Sequence, residues 1–227
     1  MLARWLWLVF ALLCASAPVA RADTGIGLEI GLRAGYGLPL GKLADDGGDL
    51  NELVSGQIPL LLEVGYRVIP SLSLGIYGQY GFGFVGDELG DGCDASTQVS
   101  CSATDIRLGI QGLFHAAPKK QLDPWFGLGF GYEWLTLSVE GGGVETSITP
   151  SGFEFVSFQA GLDIQLGERF VLGPFLSFSL AQYADLSTDC SGAGISGACD
   201  AGLLSGEIRN KTLHEWLMFG LRGVLGL

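Results

Sequence analysis

Glu29 and Arg33 lie four residues apart, and Glu63 and Arg67 repeat the same order at the same interval. Carboxylates and guanidiniums so arranged do no covalent chemistry by themselves. They form ion pairs, and inside a closed structure they must, because an unpaired buried charge is strongly destabilising. If the two segments run antiparallel, directly opposed residues share a constant index sum, and one register sets Glu29 against Arg67 and Arg33 against Glu63. Arg107 and Glu133 make a third candidate pair, and Arg222 is expected to reach Glu29 from the other side. Crossed pairs of this kind through a narrow bore would leave no continuous water path.

Covalent and metal chemistry find less material. Two histidines, His115 and His214, argue against a histidine-based metal site. Glycine runs such as Gly127-x-Gly129-x-Gly131 precede no helix, so they are not phosphate-binding loops. No cofactor is implied. Asp45, Asp46 and Asp49 in one connection, and Asp87, Asp91 and Asp94 in another, offer oxygen ligands that would suit Ca²⁺, without the spacing of an EF-hand. The other reading is solvated loops that repel like charge. Residues 1–22 read as a secretory signal peptide, with Arg4 before an apolar run and Ala20-Arg21-Ala22 before Asp23. Past that leader, Cys93, Cys101, Cys190 and Cys199 remain in an exported chain, where disulfides persist. Pairing within each loop, Cys93 with Cys101 and Cys190 with Cys199, closes short segments; pairing across loops is the alternative.

The elements that position these residues follow from one pattern. From Ile26 to Leu38 every even position is apolar, while the odd positions are Gly27, Glu29, Gly31, Arg33, Gly35 and Gly37. A helix would mix those faces and would not tolerate so many glycines. The same period of two recurs at about 57–69, 72–85, 104–115, 125–137, 155–166, 170–183 and 213–227, which makes eight strands. Alternation slips near Glu154, where a bulge or strand end is expected, and Phe175 joins the polar face of its strand. Connections alternate between long and short.

Alternation alone permits a lipocalin-like barrel, apolar within, or a membrane barrel, apolar without. Charged residues make up 16% of the chain, well under the roughly 25–35% of a water-facing surface, and the polar face is mostly glycine and serine. That face is therefore the interior. The outward aromatics gather near strand ends, as interfacial girdles do: Tyr66, Phe114, Phe126 and Phe170 at one end, Tyr36, Phe82, Phe84, Tyr132, Trp134 and Phe178 at the other. Removing the leader takes out two arginines and moves the formal charge from -12 to -14, which argues against nucleic acid as a partner.

An exported chain of eight alternating strands, with Gly35-Tyr36-Gly37-Leu38-Pro39-Leu40-Gly41 closing the first and apolar residues at every second position back from Leu227, resembles the small eight-stranded outer-membrane barrels. That family includes the OmpA membrane domain, OmpX and OmpW. The resemblance covers residues 23–227 and implies an antiparallel up-and-down transmembrane β-barrel. It also implies a monomer among outer-membrane lipids and lipopolysaccharide, inserted by the barrel-assembly machinery, with periplasmic termini and extracellular loops. One departure is the C-terminal Leu227, where the family usually ends in Phe or Trp. A structural or surface-interaction role without enzyme activity follows, with a narrow OmpW-like channel for small or apolar solutes as the alternative. Lipid A-modifying barrels use a His-x-Ser pair; His115 is followed by Ala116-Ala117 and His214 by Glu215-Trp216, so neither matches.

Overall fold

Each alternating segment forms a strand, and the strands pair with their neighbours in chain order. The computed structural model describes residues 26–44, 48–87, 93, 99–192, 205–208 and 210–227. The leader lies outside them. The elements are β1 (Gly27–Gly41), α1 (Leu50–Leu53), β2 (Val54–Ile69), β3 (Leu72–Val85), β4 (Val99–His115), β5 (Leu122–Gly141), β6 (Val144–Gln165), β7 (Phe170–Gly192), β8 (Gly206–Glu207) and β9 (His214–Gly226). All pairings are antiparallel from β1 to β7, and β9 pairs with both β7 and β1, so the ring closes with eight strands in its wall. The two-residue β8 lies outside that wall, against β7. Closure leaves no strand edge, the condition for a sheet to stand in lipid, where unpaired N–H and C=O groups find no water.

The two faces differ as the pattern requires. Leu32 is 54% exposed and Ile110 60%, whereas Arg33 and Arg107 are each 2% exposed. Apolar side chains therefore point out and charged ones in. The tight turns after β2, β4 and β6 share one end of the barrel with the chain's end, where the Leu227 amide donates to the Leu28 carbonyl at 2.9 Å. The longer connections share the other end. There α1 turns Leu50 fully inward, into an apolar cluster with Val54, Ala103, Leu135 and Leu137, and Leu43, Leu53 and Ile208 pack against it.

Three strands outrun their apolar alternation. β5, β6 and β7 are 20, 22 and 23 residues long, about twice the 9–11 residues that cross a bilayer at a tilt. The connection between the alternating segments 125–137 and 155–166 is a continuous hairpin, reversing at Gly142 and Gly143, whose φ of 61° and 81° suit a two-residue turn. Beyond the membrane the outer face meets water instead of lipid, so on β5 the apolar residues move to the inward face, where Leu135 and Leu137 are buried, and polar ones to the outward face. Hydroxyl pairs take over, with Thr136 and Thr149 at 3.1 Å and Ser138 and Ser147 at 2.8 Å. β4 likewise begins at Val99, opposite Gly141.

Register shifts between Gly129 and Gly131 on β5, and between Glu154 and Val156 on β6, locate the bulge where the alternation slips. The bulge reverses the phase of β6: Glu154 points inward from an even position, and Ser157, Gln159 and Asp163 from odd ones.

At the closing seam Gly35 faces Gly220, and a Cβ on either would overlap the other strand's backbone. Gly220→Val is therefore expected to abolish the compact band in unheated SDS gels. Gly223→Ala, whose Cβ would meet side chains at ordinary distances of 3.5 Å or more, should retain it.

Candidate functional site: the charged barrel interior

The inward polar residues form three tiers from the turn end to the loop end. In the first, the Arg67 Nε donates to Glu29 at 2.8 Å and the Ser73 hydroxyl donates to the second Glu29 oxygen at 3.0 Å. Beside them, His115 Nδ1 and Asp123 share a hydrogen bond at 2.8 Å, and the Ala117 amide donates to the other Asp123 oxygen at 2.8 Å.

The middle tier joins five strands. Glu63 accepts from Arg33 at 2.5 Å and from Gln111 at 2.9 Å through one oxygen, and from Arg222 at 2.7 Å through the other. Arg222 also donates to Asp163 at 2.7 Å, over β7, and Arg33 donates to Gln159 at 2.6 Å, three strands around the ring; both acceptors lie on β6. Trp125 lies between the two guanidiniums, 5.2 Å from that of Arg33 and 4.8 Å from that of Arg222. Two cations and two anions balance.

The upper tier gathers three carboxylates around Arg107. Its Nε donates to Asp105 at 2.9 Å, while Glu133 lies 3.5 Å and Glu154 3.9 Å from its other nitrogens. Asp105 also accepts from Gln57 and Gln79, each at 2.9 Å. Tyr183 donates to Glu133 at 2.7 Å, Trp216 donates to it at 3.1 Å, and His214 lies 3.3 Å away. Tyr77 donates to Glu154 at 2.5 Å. A void of about 20 Å³ lies between the middle and upper tiers, bordered by Arg33, Gln79, Arg107 and Phe175. It has room for one or two waters.

The residues picked by spacing fall here, with two corrections. The β1–β2 register is shifted by two from the one that opposes Glu29 to Arg67: Gly27 faces Arg67, Gly31 faces Glu63, and Arg33 faces Leu61. The ion pairs form diagonally instead, because long side chains span that offset and glycine opposite Glu63 leaves its carboxylate room; a Cβ on Gly31 would overlap it. Arg222 does not reach Glu29. It is opposed to Arg33, four positions along β1, and turns to Glu63 and Asp163. Arg107 and Glu133 are directly opposed.

Spacing did not single out Asp105, Glu154, Asp163, Tyr77, Tyr183 or the His115–Asp123 contact. Alternation turns Asp105 and Asp163 inward, but it does not name their partners, which for Asp105 lie on β2, β3 and its own strand and for Asp163 on β9 beyond β7, and the bulge masked Glu154. Cys93 and Cys101 form a disulfide, and Cys190 is also disulfide-bonded; Cys199 lies outside the described residues. Of the acidic loop candidates, Asp49 and Asp87 are exposed, and Asp45, Asp46, Asp91 and Asp94 lie outside the described residues. Among the described residues no group of three acidic, histidine or cysteine side chains is placed to hold a metal. Between β8 and β9, Lys211 donates to Glu207 at 2.6 Å and holds its carboxyl below the ordinary range.

No family model matches the chain, and no curated protein is significantly similar to it in sequence. Among solved structures, a major outer membrane protein of Thermus thermophilus superposes with a TM-score of 0.53 at 14% identity, over 88% of this chain and 99% of that one. Neisserial surface protein A aligns over 90% of this chain and 98% of its own at 10% identity, TM-score 0.49. OprG of Pseudomonas aeruginosa aligns over 90% and 100% at 13% identity, TM-score 0.46. The fold is that of an outer-membrane β-barrel, which crosses the membrane with strands.

Glu63 neutralises two guanidiniums at once. Glu63→Gln should lower stability by about 3–5 kcal/mol, the cost of stranding buried charge. Glu29→Gln, at a pair whose side chains keep 14–15% exposure and which serves one guanidinium, should cost less, about 1.5–3 kcal/mol. Urea unfolding in lipid vesicles, followed by tryptophan fluorescence, would separate the two.

Proposed function

We propose that this protein is a plugged outer-membrane barrel with a structural or surface-interaction role and no enzyme activity. The observation that carries the reading is the set of ties inside the bore, Arg33 to Gln159 and Arg107 to Ser179, each three strands apart in the ring, with Arg222 tied to Asp163 over β7. A solute would have to break several charge-assisted hydrogen bonds to pass. What the bore lacks as a route, the loop end offers as a surface: β5, β6 and β7 project beyond the span a bilayer needs and carry the hydroxyl-lined hairpin.

In this reading residues 1–22 are removed on export, and the mature chain is a monomer delivered by the barrel-assembly machinery. Its turn end and both termini face the periplasm, and its loops pass through lipopolysaccharide to the exterior. The acidic connections and the disulfide-closed loops then form the outer surface, Cys190 pairing with Cys199. The competing narrow channel requires a continuous path through the tiers.

Planar-bilayer recordings decide between the two. The purified protein should give no conductance steps, whereas reproducible unitary steps would establish the channel. A peptide tag inserted between Gly142 and Gly143 should be labelled on intact cells, while one at Lys119 should be labelled only after the outer membrane is permeabilised.

A further inference from the structure

Strands β3 to β7 turn an uneven face to the lipid. Near the turn end, Gly112 and Ala160 stand among Leu74, Phe114, Phe126 and Phe158, and the concavity around them measures about 880 Å³. That is within the roughly 300–1,000 Å³ of sites that hold small molecules. Gly112 is not small for the sake of the wall. A Cβ there would meet only Leu74 Cδ2, at 3.3 Å, whereas at Gly35, Gly75 and Gly220 it would overlap backbone. The missing side chain opens space toward lipid alone.

A second feature lies at the same end. β4 and β5 run along the groove and are joined by the turn that carries Lys119 and Lys120. Both lysines are exposed, and neither joins an ion pair among the described residues. In a chain with 24 acidic and 12 basic residues, adjacent lysines outside any ion pair, where two lipid-facing strands meet the interface, favour an anion at that level; Lys120 also borders the mouth of the bore beside Glu29 and Asp123. Their aliphatic stems can lie along the apolar wall while the ammonium groups reach the head-group layer.

We propose that this groove is a binding site for an anionic diacyl glycerophospholipid such as phosphatidylglycerol. Its acyl chains lie over Gly112 and Ala160, and its phosphate is held by Lys119 and Lys120. The choice of phospholipid rests on the periplasmic placement of the turn end proposed above. The lysines confer the head-group preference, and the groove holds the chains whatever the head group.

Native mass spectrometry of the purified protein in detergent tests this, with phosphatidylglycerol and phosphatidylethanolamine of identical chains, or lipid A, as probes. The wild type should retain phosphatidylglycerol several-fold over phosphatidylethanolamine. Lys119→Ala with Lys120→Ala should equalise the two, and Gly112→Leu should reduce both. Ala160→Leu serves as the second groove variant should Gly112→Leu lose its heat-modifiable band. Equal retention of the two phospholipids by the wild type, an unchanged preference in the lysine variant, or tighter retention of lipid A would each overturn the proposal. Head-group preference is read in detergent and does not depend on orientation. Labelling of the Lys119 tag on intact cells would overturn the leaflet assignment while leaving the head-group result to stand or fall separately.

Discussion

An eight-stranded bore is wide enough only for its own side chains, and any charge that points into it is cut off from bulk water. Each inward cation must then find an anion within the wall, since attraction in a low-dielectric interior offsets desolvation only where the geometry is good and the remaining donors are satisfied. The middle tier supplies the anion with one carboxylate, Glu63, shared by guanidiniums on either side of the β1–β9 seam, and leaves Arg33 Nε and Asp163 Oδ1 without a partner among the described residues. Trp125 fills the space between them with an aromatic face, which attracts both cations.

Side-chain volume inside the barrel is distributed to the same end. Large groups from one strand are met by glycine on the next: Gly31 faces Glu63, Gly161 accommodates Trp125, and Gly109 accommodates Tyr77. The bulge on β6 adds an anion where an unbroken strand would have turned an apolar residue inward. With the phase reversed, Glu154 joins Asp105 and Glu133 around Arg107, and the excess of carboxylates there is absorbed by donors, Tyr77, Tyr183, Trp216 and the two glutamines on β2 and β3. Phe175, out of place on a polar face when read as sequence, lies 5.5 Å from the Arg33 guanidinium as part of the filling.

The interior site was legible as a composition and less so as a network. Alternation named the inward face, and the repeated Glu-Arg spacing picked out residues that do meet, Glu29 with Arg67 and Arg33 with Glu63. The stagger between β1 and β2 was not legible, because two registers differing by two residues keep the same face inward. Contacts that cross the bore, such as Arg33 on β1 with Gln159 on β6, join strands three apart in the ring, and no local pattern encodes them.

Where both faces of a strand sit in different media, lipid on one side and a packed bore on the other, a period of two must appear in the residues, and the sequence alone determined strand number, face and closure as a barrel. β3 was delimited to the residue, Leu72–Val85. Where β5, β6 and β7 leave the membrane, the outer face turns polar and the lipid-facing apolar period ends, so only the tertiary structure decided that the hairpin continues to Gly142 and Gly143. The tertiary structure alone also decided register and ion-pair partners. Side-chain periodicity is blind to a slide of two residues, whereas shear around a closed ring allows one value for every strand at once.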